Sequence, residues 1–346
     1  MLPWIIGIAA LAVILLPFVP GWIELRRGRD KSALHINMEY RKDPRFYGDS
    51  FDRLLRDGLL VAAGVKGLAQ LEQKTYTVTI SRPEKVEVVT APEWTFAASA
   101  GVKNVVYAAG GLRAGEKARF GKELVVLGDA VFGPGARLRG ILCQGALRFE
   151  AGTAVSRWAD SRRGPLLAGP GCDLGRNAVS GSLLSLDHGC RFNNLFGAPI
   201  QTFAASEAAP IPAEGNIREK ALVVTSLQFS IPAGAELRNN VVASQDLKIC
   251  AGATIHGDIK GLRNVELEDG VTIHGTIVAD RTVRVGANCR ILGNVFAQDD
   301  VHLGQGCTVG EAGSVKSVIS RSAVYLEAGV TIHGHIACEK GQTAEE

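Results

Sequence analysis

Aromatic residues are scarce in this sequence. Phe, Tyr and Trp together make up 6 % of the 346 residues, and only two methionines occur. Glycine is abundant, with 41 residues, and this combination disfavours an ordinary helical globule. Hydrophobic residues still reach 46 % and charged residues 21 %. A buried core is therefore expected, and wholesale disorder is excluded.

An excess of one charge is also lacking. The formal net charge is +3 for the whole chain. A nucleic-acid-binding protein is expected to carry a clustered basic face and a strongly basic balance. The sequence therefore predicts no nucleic-acid partner.

Common chemical signatures are missing. The chain has no CxxC pair, no GxxxxGK[ST], no GxSxG, no HExxH and no GxGxxG. Its thiols are Cys143, Cys172, Cys190, Cys250, Cys289, Cys307 and Cys338. An odd number of cysteines without metal-type spacing indicates reduced, structural thiols in a cytosolic compartment. We expect no metal, no cofactor and no enzymatic activity.

The amino-terminal stretch has the character of a membrane anchor. No charged residue occurs from Leu2 to Ile23, and about 20 apolar residues span a bilayer as a helix. A cleaved secretory signal would begin with a positive region, whereas the first four residues carry no basic side chain. Residues 1–23 are therefore predicted to be a transmembrane helix.

Basic residues follow the predicted helix. Arg26, Arg27, Arg29 and Lys31 occur within six positions. The positive-inside rule then places the long carboxy-terminal part in the cytoplasm. The same four side chains are candidate contacts with anionic lipid headgroups.

Residues 24–74 form a charged juxtamembrane segment with a short helical pattern. Ser50 is a candidate N-cap, and apolar residues follow it at helical spacing: Phe51, Leu54, Leu55 and Leu59. This amphipathic helix is expected to lie on the membrane, on a partner or on the next domain of the same chain.

The rest of the sequence repeats. A turn glycine is followed three residues later by an apolar residue at Gly135, Gly152, Gly171, Gly189, Gly234, Gly252, Gly270, Gly306 and Gly329. The spacing is nearly constant from Gly135 to Gly189, and the long interval that follows contains a Pro/Ala-rich stretch at 197–220. Periods of this kind indicate stacked repeats. We predict a β-solenoid over 75–338 with an inserted loop at 197–220, and a disordered tail at 339–346.

A period of about 18 residues is explained by three short strands and three corners per turn of a solenoid. In GATIHGDI, strand alternation directs Ile255, Gly257 and Ile259 to one face. The aliphatic side chains fill a narrow core, and the inward glycine leaves room in that core or permits a sharp bend. The many glycines and the few aromatics follow from this all-β architecture.

These repeats resemble a known family. The units GATIHGDI and GVTIHGTI, with LEDG, VRVG and LEAG corners between them, are similar to those of the bactofilins, which are polymer-forming cytoskeletal proteins of bacteria. The resemblance is clearest from Ala233 to Ala337. It implies a right-handed β-helix that polymerises end to end without nucleotide, lies at the bacterial inner membrane and positions cell-envelope enzymes. The expected partners are thus other copies of the chain, the membrane and cell-envelope enzymes.

A polymer of this kind would use the open ends of the solenoid. Unpaired strand edges invite pairing with another chain. The upstream end is expected near residues 75–90. The downstream end is expected near Val330, Ile332 and Ile336, which are therefore the candidate polymer interface.

Two alternatives remain. A monomeric, membrane-tethered solenoid would present its long face to a binding partner. A trimeric hexapeptide-repeat acyltransferase also has turns of this length, and His256 or His274 would be its general base. A solvent-facing histidine ladder, continued at His333, is the simpler interpretation of the same residues.

Overall fold

The computed structural model describes residues 44–205, the backbone of 222–225, and residues 229–345. They form an all-β solenoid of about 13 turns with roughly 18 residues per turn, which confirms the predicted solenoid and its period. The predicted anchor at 1–23 and the basic residues Arg26, Arg27, Arg29 and Lys31 lie outside the described residues. Among the residues that are described, no helix is both long and apolar enough to cross a bilayer.

The first part of the chain contains the helices and the first group of strands. A helix α1 (Phe46–Ala63) is followed by a short 3-10 helix η1 (Leu68–Gln70). The strands are β1 (Thr75–Thr79), β2 (Pro83–Val89), β3 (Glu93–Phe96), β4 (Gly101–Val102), β5 (Val105–Ala108), β6 (Gly111–Ala114), β7 (Arg119–Val126), β8 (Ala130–Phe132), β9 (Arg137–Cys143), β10 (Leu147–Phe149), β11 (Ala154–Ser161), β12 (Leu166–Ala168), β13 (Asn177–Ser180), β14 (Leu184–Leu186) and β15 (Arg191–Thr202).

The second group of strands is more regular, with three strands in each turn. They are β16 (Leu222–Thr225), β17 (Phe229–Ile231), β18 (Glu236–Leu237), β19 (Asn240–Ala243), β20 (Leu247–Ile249), β21 (Thr254–Ile255), β22 (Ile259–Gly261), β23 (Val265–Leu267), β24 (Thr272–Ile273), β25 (Ile277–Ala279), β26 (Val283–Val285), β27 (Arg290–Ile291), β28 (Val295–Ala297), β29 (Val301–Leu303), β30 (Thr308–Val309), β31 (Lys316–Ser320), β32 (Ala323–Leu326) and β33 (Thr331–Thr343).

Two solenoid arms are built from these strands. The first arm covers 83–202 and the second arm covers 222–343. Within each arm the strands pair in parallel with the equivalent strands of the next turn, as β2 does with β5 and β19 does with β22. The strand β1 is an exception, because it forms an antiparallel hairpin with β2.

The arms meet at their last turns, in an antiparallel junction between β15 and β33. Leu195 lies opposite Ile336, Ile200 lies opposite Ile332, and Arg191 lies opposite Gln342. These pairs belong to three different sides of the tube, so the whole last turn of one arm stacks on the last turn of the other. The arms therefore run in opposite directions along one continuous core.

This junction corrects two predicted boundaries. The stretch 197–220 was expected to be a loop inserted in a regular stack, but β15 extends to Thr202 and the stack changes direction across it. Residues 206–221 lie outside the described part. The predicted tail at 339–346 is also partly strand, since β33 continues to Thr343 and pairs with β32.

Close stacking explains the glycines of the repeated IHG corner. A Cβ added at Gly257, Gly275 or Gly293 would overlap the carbonyl oxygen of the residue one turn earlier. Real Cβ atoms do not tolerate that approach, so backbone packs directly on backbone at this corner. Gly257 is buried, as strand alternation predicted, and glycine is required there because its backbone lies so close to the preceding turn.

Polar side chains next to these glycines satisfy the backbone at the same corner. Asn240 Oδ1 accepts a hydrogen bond from Asp258 N at 2.8 Å, and Asp258 Oδ1 accepts one from Thr276 N at 2.8 Å. Asn294 Oδ1 accepts one from Ser317 N at 2.9 Å. Short polar side chains commonly bond backbone groups in this way. Each one ties its own turn to the next.

The helix α1 packs on the outer side of the first arm. Leu55 and Leu59 have no exposed surface and lie with Tyr107, Leu142 and Trp158 in a second, smaller core outside the tube. The membrane, a partner and the chain's own next domain were the three predicted locations for this helix. Its inner face packs on the chain's own next domain. The helix begins at Phe46 after Arg45, so Ser50 is inside it and is not the N-cap.

Candidate assembly surfaces

The predicted polymer interface lies inside the molecule. Val330, Ile332 and Ile336 are at most 1 % exposed. Their segment packs against the preceding turn of the second arm on one side, and β33 pairs with β15 on the other. The expectation of an open downstream end at these residues is therefore corrected: the first arm closes it.

The outer ends of the two arms are the turns with unpaired strand edges. At the first-arm end, β3 and β4 pair with β6 and β7 alone among the described residues, while β1 covers β2. At the second-arm end, β16, β17 and β18 pair only with β19, β20 and β21 within the same described ranges. Both outer ends are first turns of an arm, and both last turns are used in the junction.

Apolar side chains line the first-arm end. Trp94 is partly buried and its ring lies 4.1 Å from that of Phe96, measured between centroids. Phe96 in turn contacts Phe120 edge to face at 5.0 Å. An aromatic stack therefore runs from the core up to the outermost turn.

The second-arm end is aliphatic with one aromatic ring. Ile231 is 2 % exposed, and Phe229, Ala235 and Leu237 are partly buried against the core. Each of these side chains has neighbours on the inner turn. A further solenoid turn with apolar side chains, stacked on this end, would bury them completely.

Backbone groups at both ends point outward. Cys250 N donates to Ile231 O at 2.9 Å, so strand alternation turns the N–H and C=O of Ser230 to the outer edge. In the same way Gly115 N donates to Phe96 O at 2.9 Å, which turns the backbone groups of Thr95 outward. These are the groups that a further strand would meet.

The histidine row is partly as predicted. The rings of His256 and His274 stack with centroids 4.6 Å apart, which confirms the ladder contact. His256 is only 4 % exposed, and its Nε2 lies 3.1 Å from Glu236 Oε1. The expectation that this ladder faces solvent is wrong for His256. His333 lies apart from the pair, because Leu292 and Gly310 occupy the intervening turns.

Five of the seven cysteines are buried in the core, whereas Cys250 and Cys338 are partly buried. Burial raises the pKa of Cys143 and Cys172 to about 12, and that of Cys190 to about 11. Contact with the Cys289 thiol, together with burial, raises the pKa of Cys307. Such thiols are inert. Across the described ranges no three His, Cys, Asp or Glu side chains come together as a metal site.

The upstream end was expected near residues 75–90, and the first-arm end lies at β1–β4, which include those residues. The second-arm end at β16–β18 was missed in the sequence, although one signal pointed to it. The interval from Gly189 to Gly234 is much longer than one turn, and a loop excursion and a restart of the stack give the same spacing. Only the pairing of β15 with β33 distinguishes a loop excursion from a restart of the stack.

The chain matches no family model, no curated protein and no solved structure.

Proposed function

We propose that this protein is a bactofilin-like structural scaffold that self-associates end to end without nucleotide. In this proposal residues 1–23 anchor it in the bacterial inner membrane, the right-handed solenoid lies in the cytoplasm, and the assembly positions cell-envelope machinery. Val330, Ile332 and Ile336 are replaced as the candidate interface by the outer strands β3 and β4 of the first arm and β16–β18 of the second arm.

One observation carries the proposal. The β15–β33 junction is an end-to-end contact between two solenoid arms, and it uses all three sides of the tube. A terminal turn of this repeat therefore accepts another terminal turn in antiparallel register. The outer turns have the same kind of edge, with unpaired backbone groups in the described residues.

Physical chemistry favours pairing at those turns. Unpaired backbone N–H and C=O groups at a strand edge, together with partly exposed apolar side chains, are the usual cause of association between sheets. Trp94 at one end and Phe229 at the other are each partly buried. A further turn about 4.8 Å away would bury them and would satisfy the outward backbone groups.

The test uses the full chain in detergent, without nucleotide or metal, in sedimentation velocity and negative-stain electron microscopy. We expect filaments or end-joined oligomers of solenoid width. The double variant Thr95→Pro with Ser230→Pro removes one outward N–H at each end, since proline has no backbone donor. It should shift the population to the single chain.

The matched control is Thr95→Ala with Ser230→Ala, which retains both N–H groups and should assemble like the wild type. Far-ultraviolet circular dichroism establishes that both variants are folded. A wild-type protein that stays monomeric would contradict the proposal and favour the tethered binding module. A discrete trimer would favour the acyltransferase alternative and call for an acyl-donor assay.

A further inference from the structure

The outer side of α1 carries an exposed apolar stripe. Tyr47, Leu54 and Val61 recur every seven residues and are 47 %, 46 % and 83 % exposed, and Phe46 beside them is 57 % exposed. In the described residues only six large hydrophobic side chains are at least 41 % exposed, and the four most exposed of them are on α1. Residues seven apart share one side of a helix, so these four side chains form one surface.

A row of arginines runs along the neighbouring corner of the first arm. Gly140, Trp158 and Asn177 are in register on successive turns. The residues immediately before them are arginines, and these form the corner row: Arg139, Arg157 and Arg176. Successive turns are about 4.8 Å apart, so three guanidinium groups follow one another closely.

The buried carboxylate of Glu123 orients two members of the corner row. Glu123 Oε1 lies 3.0 Å from Arg139 Nε and 3.4 Å from Arg157 Nη1. One carboxylate thus faces two guanidinium groups, while Arg176 is exposed and has no ion pair within the described part of the chain. The row keeps a net positive charge.

The stripe and the corner row lie on the same side of the arm. The ring of Phe51 lies 6.0 Å from that of Trp158, the neighbour of Arg157. Tyr47 and Leu54 are four and three residues from Phe51, which puts them on the adjacent side of the helix. The apolar stripe therefore borders the arginines.

From this arrangement we infer that α1 and the corner row together dock on an anionic lipid bilayer. Aromatic and aliphatic side chains enter the headgroup boundary, while guanidinium groups meet the negative surface. The carboxylates of the helix do not cancel this charge, because Asp49 pairs with Arg162 and Asp52 pairs with Arg56. Arg53 balances the remaining Asp57.

The aliphatic part of the stripe favours lipid over nucleic acid. Single-stranded nucleic acid is held by aromatic platforms on which bases stack. Leu54 and Val61 offer no such platform, yet Val61 is the most exposed large hydrophobic side chain of the described residues. Burial of these two residues in a bilayer gives them a favourable environment.

The experiment is residue-level footprinting of arginine on the wild-type full chain. The protein is reconstituted with vesicles of phosphatidylcholine, alone or mixed with phosphatidylglycerol, then treated with phenylglyoxal and analysed by mass spectrometry. Arg139, Arg157 and Arg176 should react about fivefold more slowly on the anionic vesicles. Arg263 and Arg281, in the second arm, serve as internal controls and should not change. Insertion of residues 1–23 does not affect this comparison, since it is common to both lipids.

Two charge variants complete the design. Leu54→Glu with Val61→Glu should abolish the protection, and both positions are exposed, so the fold is retained. The matched control is Leu262→Glu with Tyr325→Glu, which changes the other two exposed large hydrophobic residues and should retain the protection. Equal reaction rates on both lipids would overturn the inference. Protection by duplex or single-stranded DNA but not by anionic vesicles would also overturn it, in favour of a nucleic-acid surface.

Discussion

Leu195 lies directly opposite Ile336 across the antiparallel junction, and both side chains are at most 1 % exposed. One residue comes from the last turn of the first arm and the other from the last turn of the second. The contact joins parts of the chain that are far apart in sequence. It joins the cores of the two arms.

We expect Leu195→Ala and Ile336→Ala each to lower the free energy of unfolding by about 2–5 kcal/mol, because each leaves a cavity in the core. The double variant should lose roughly 0.5–1 kcal/mol less than the sum, since the residues share that cavity. Chemical denaturation measures all three. The control is Leu195→Ala combined with Ile255→Ala, a residue equally buried in the second arm, where the losses should add. Strict additivity of the Leu195 and Ile336 losses would contradict the direct contact.

Gly275 is required by the close approach of the preceding turn. Gly275→Ala should destabilise the protein by roughly 1–3 kcal/mol, because a Cβ there would overlap the Gly257 carbonyl. At Gly101 a Cβ would meet no atom within 4 Å, so Gly101→Ala should change stability by less than about 0.5 kcal/mol. Thermal unfolding followed by circular dichroism compares the two. Similar losses at both sites would show that the stacking contact is not the cause.

The Asp258 carboxylate accepts a backbone hydrogen bond from the next turn. Asp258→Ala should cost about 1 kcal/mol, because the N–H of Thr276 loses its side-chain acceptor. Asp258→Asn keeps an acceptor oxygen at the same place and should retain most of the stability. The difference between the alanine and asparagine variants is the informative quantity, and equal losses would indicate that charge rather than hydrogen bonding matters here.

Because its thiols are buried, we expect the folded protein to lose stability at alkaline pH. Burial raises the pKa of Cys143 and Cys172 to about 12, whereas an unfolded thiol has a pKa of about 8.5. The unfolded state therefore loses protons first as the pH rises. The stabilisation is complete below the unfolded pKa and is lost progressively up to about 12, by at most about 1.4 kcal/mol per pH unit for each thiol.

Chemical denaturation at pH 8 and pH 10 measures this slope. The variant Cys143→Ala with Cys172→Ala is expected to be less stable at both pH values but to depend less steeply on pH. In addition, an alkylating reagent at pH 8 should label these thiols only after denaturation. Rapid labelling of Cys143 in the folded protein would contradict the burial of this thiol.

Local patterns predicted much of this architecture. The spacing of corner glycines located the turns, and the alternation in GATIHGDI placed Ile255 and Ile259 in the core, where they are at most 1 % exposed. Both features involve neighbours within one turn, so a single sequence records them. The helix pattern was similarly informative for Leu55 and Leu59. The pattern did not distinguish these two residues from Leu54, which is 46 % exposed. Leu54 and Leu55 are both apolar, and the sequence does not show which side of the helix packs on the sheet.

The candidate surfaces depended on contacts that a repeat does not record. Ile332 and Ile336 look like the last turn of a stack, and their apolar character fits an open end as well as a junction. Their burial follows from pairing with β15. The exposed stripe on α1 likewise depends on which side of the helix packs on the first arm, and the repeat does not record that.

The sequence by itself determined an all-β solenoid with roughly 18 residues per turn, because the period of glycine and aliphatic residues is a property of each turn. The tertiary structure decided how the turns are ordered in space. Parallel continuation and antiparallel reversal at β15 bury the same apolar side chains in the same core, and they differ only in which backbone groups pair. The hydrophobic pattern is the same in both cases and does not distinguish them. The long-range pairing of residues 191–202 with residues 331–343 therefore set the direction of the second arm. It also determined which two ends of the solenoid are open.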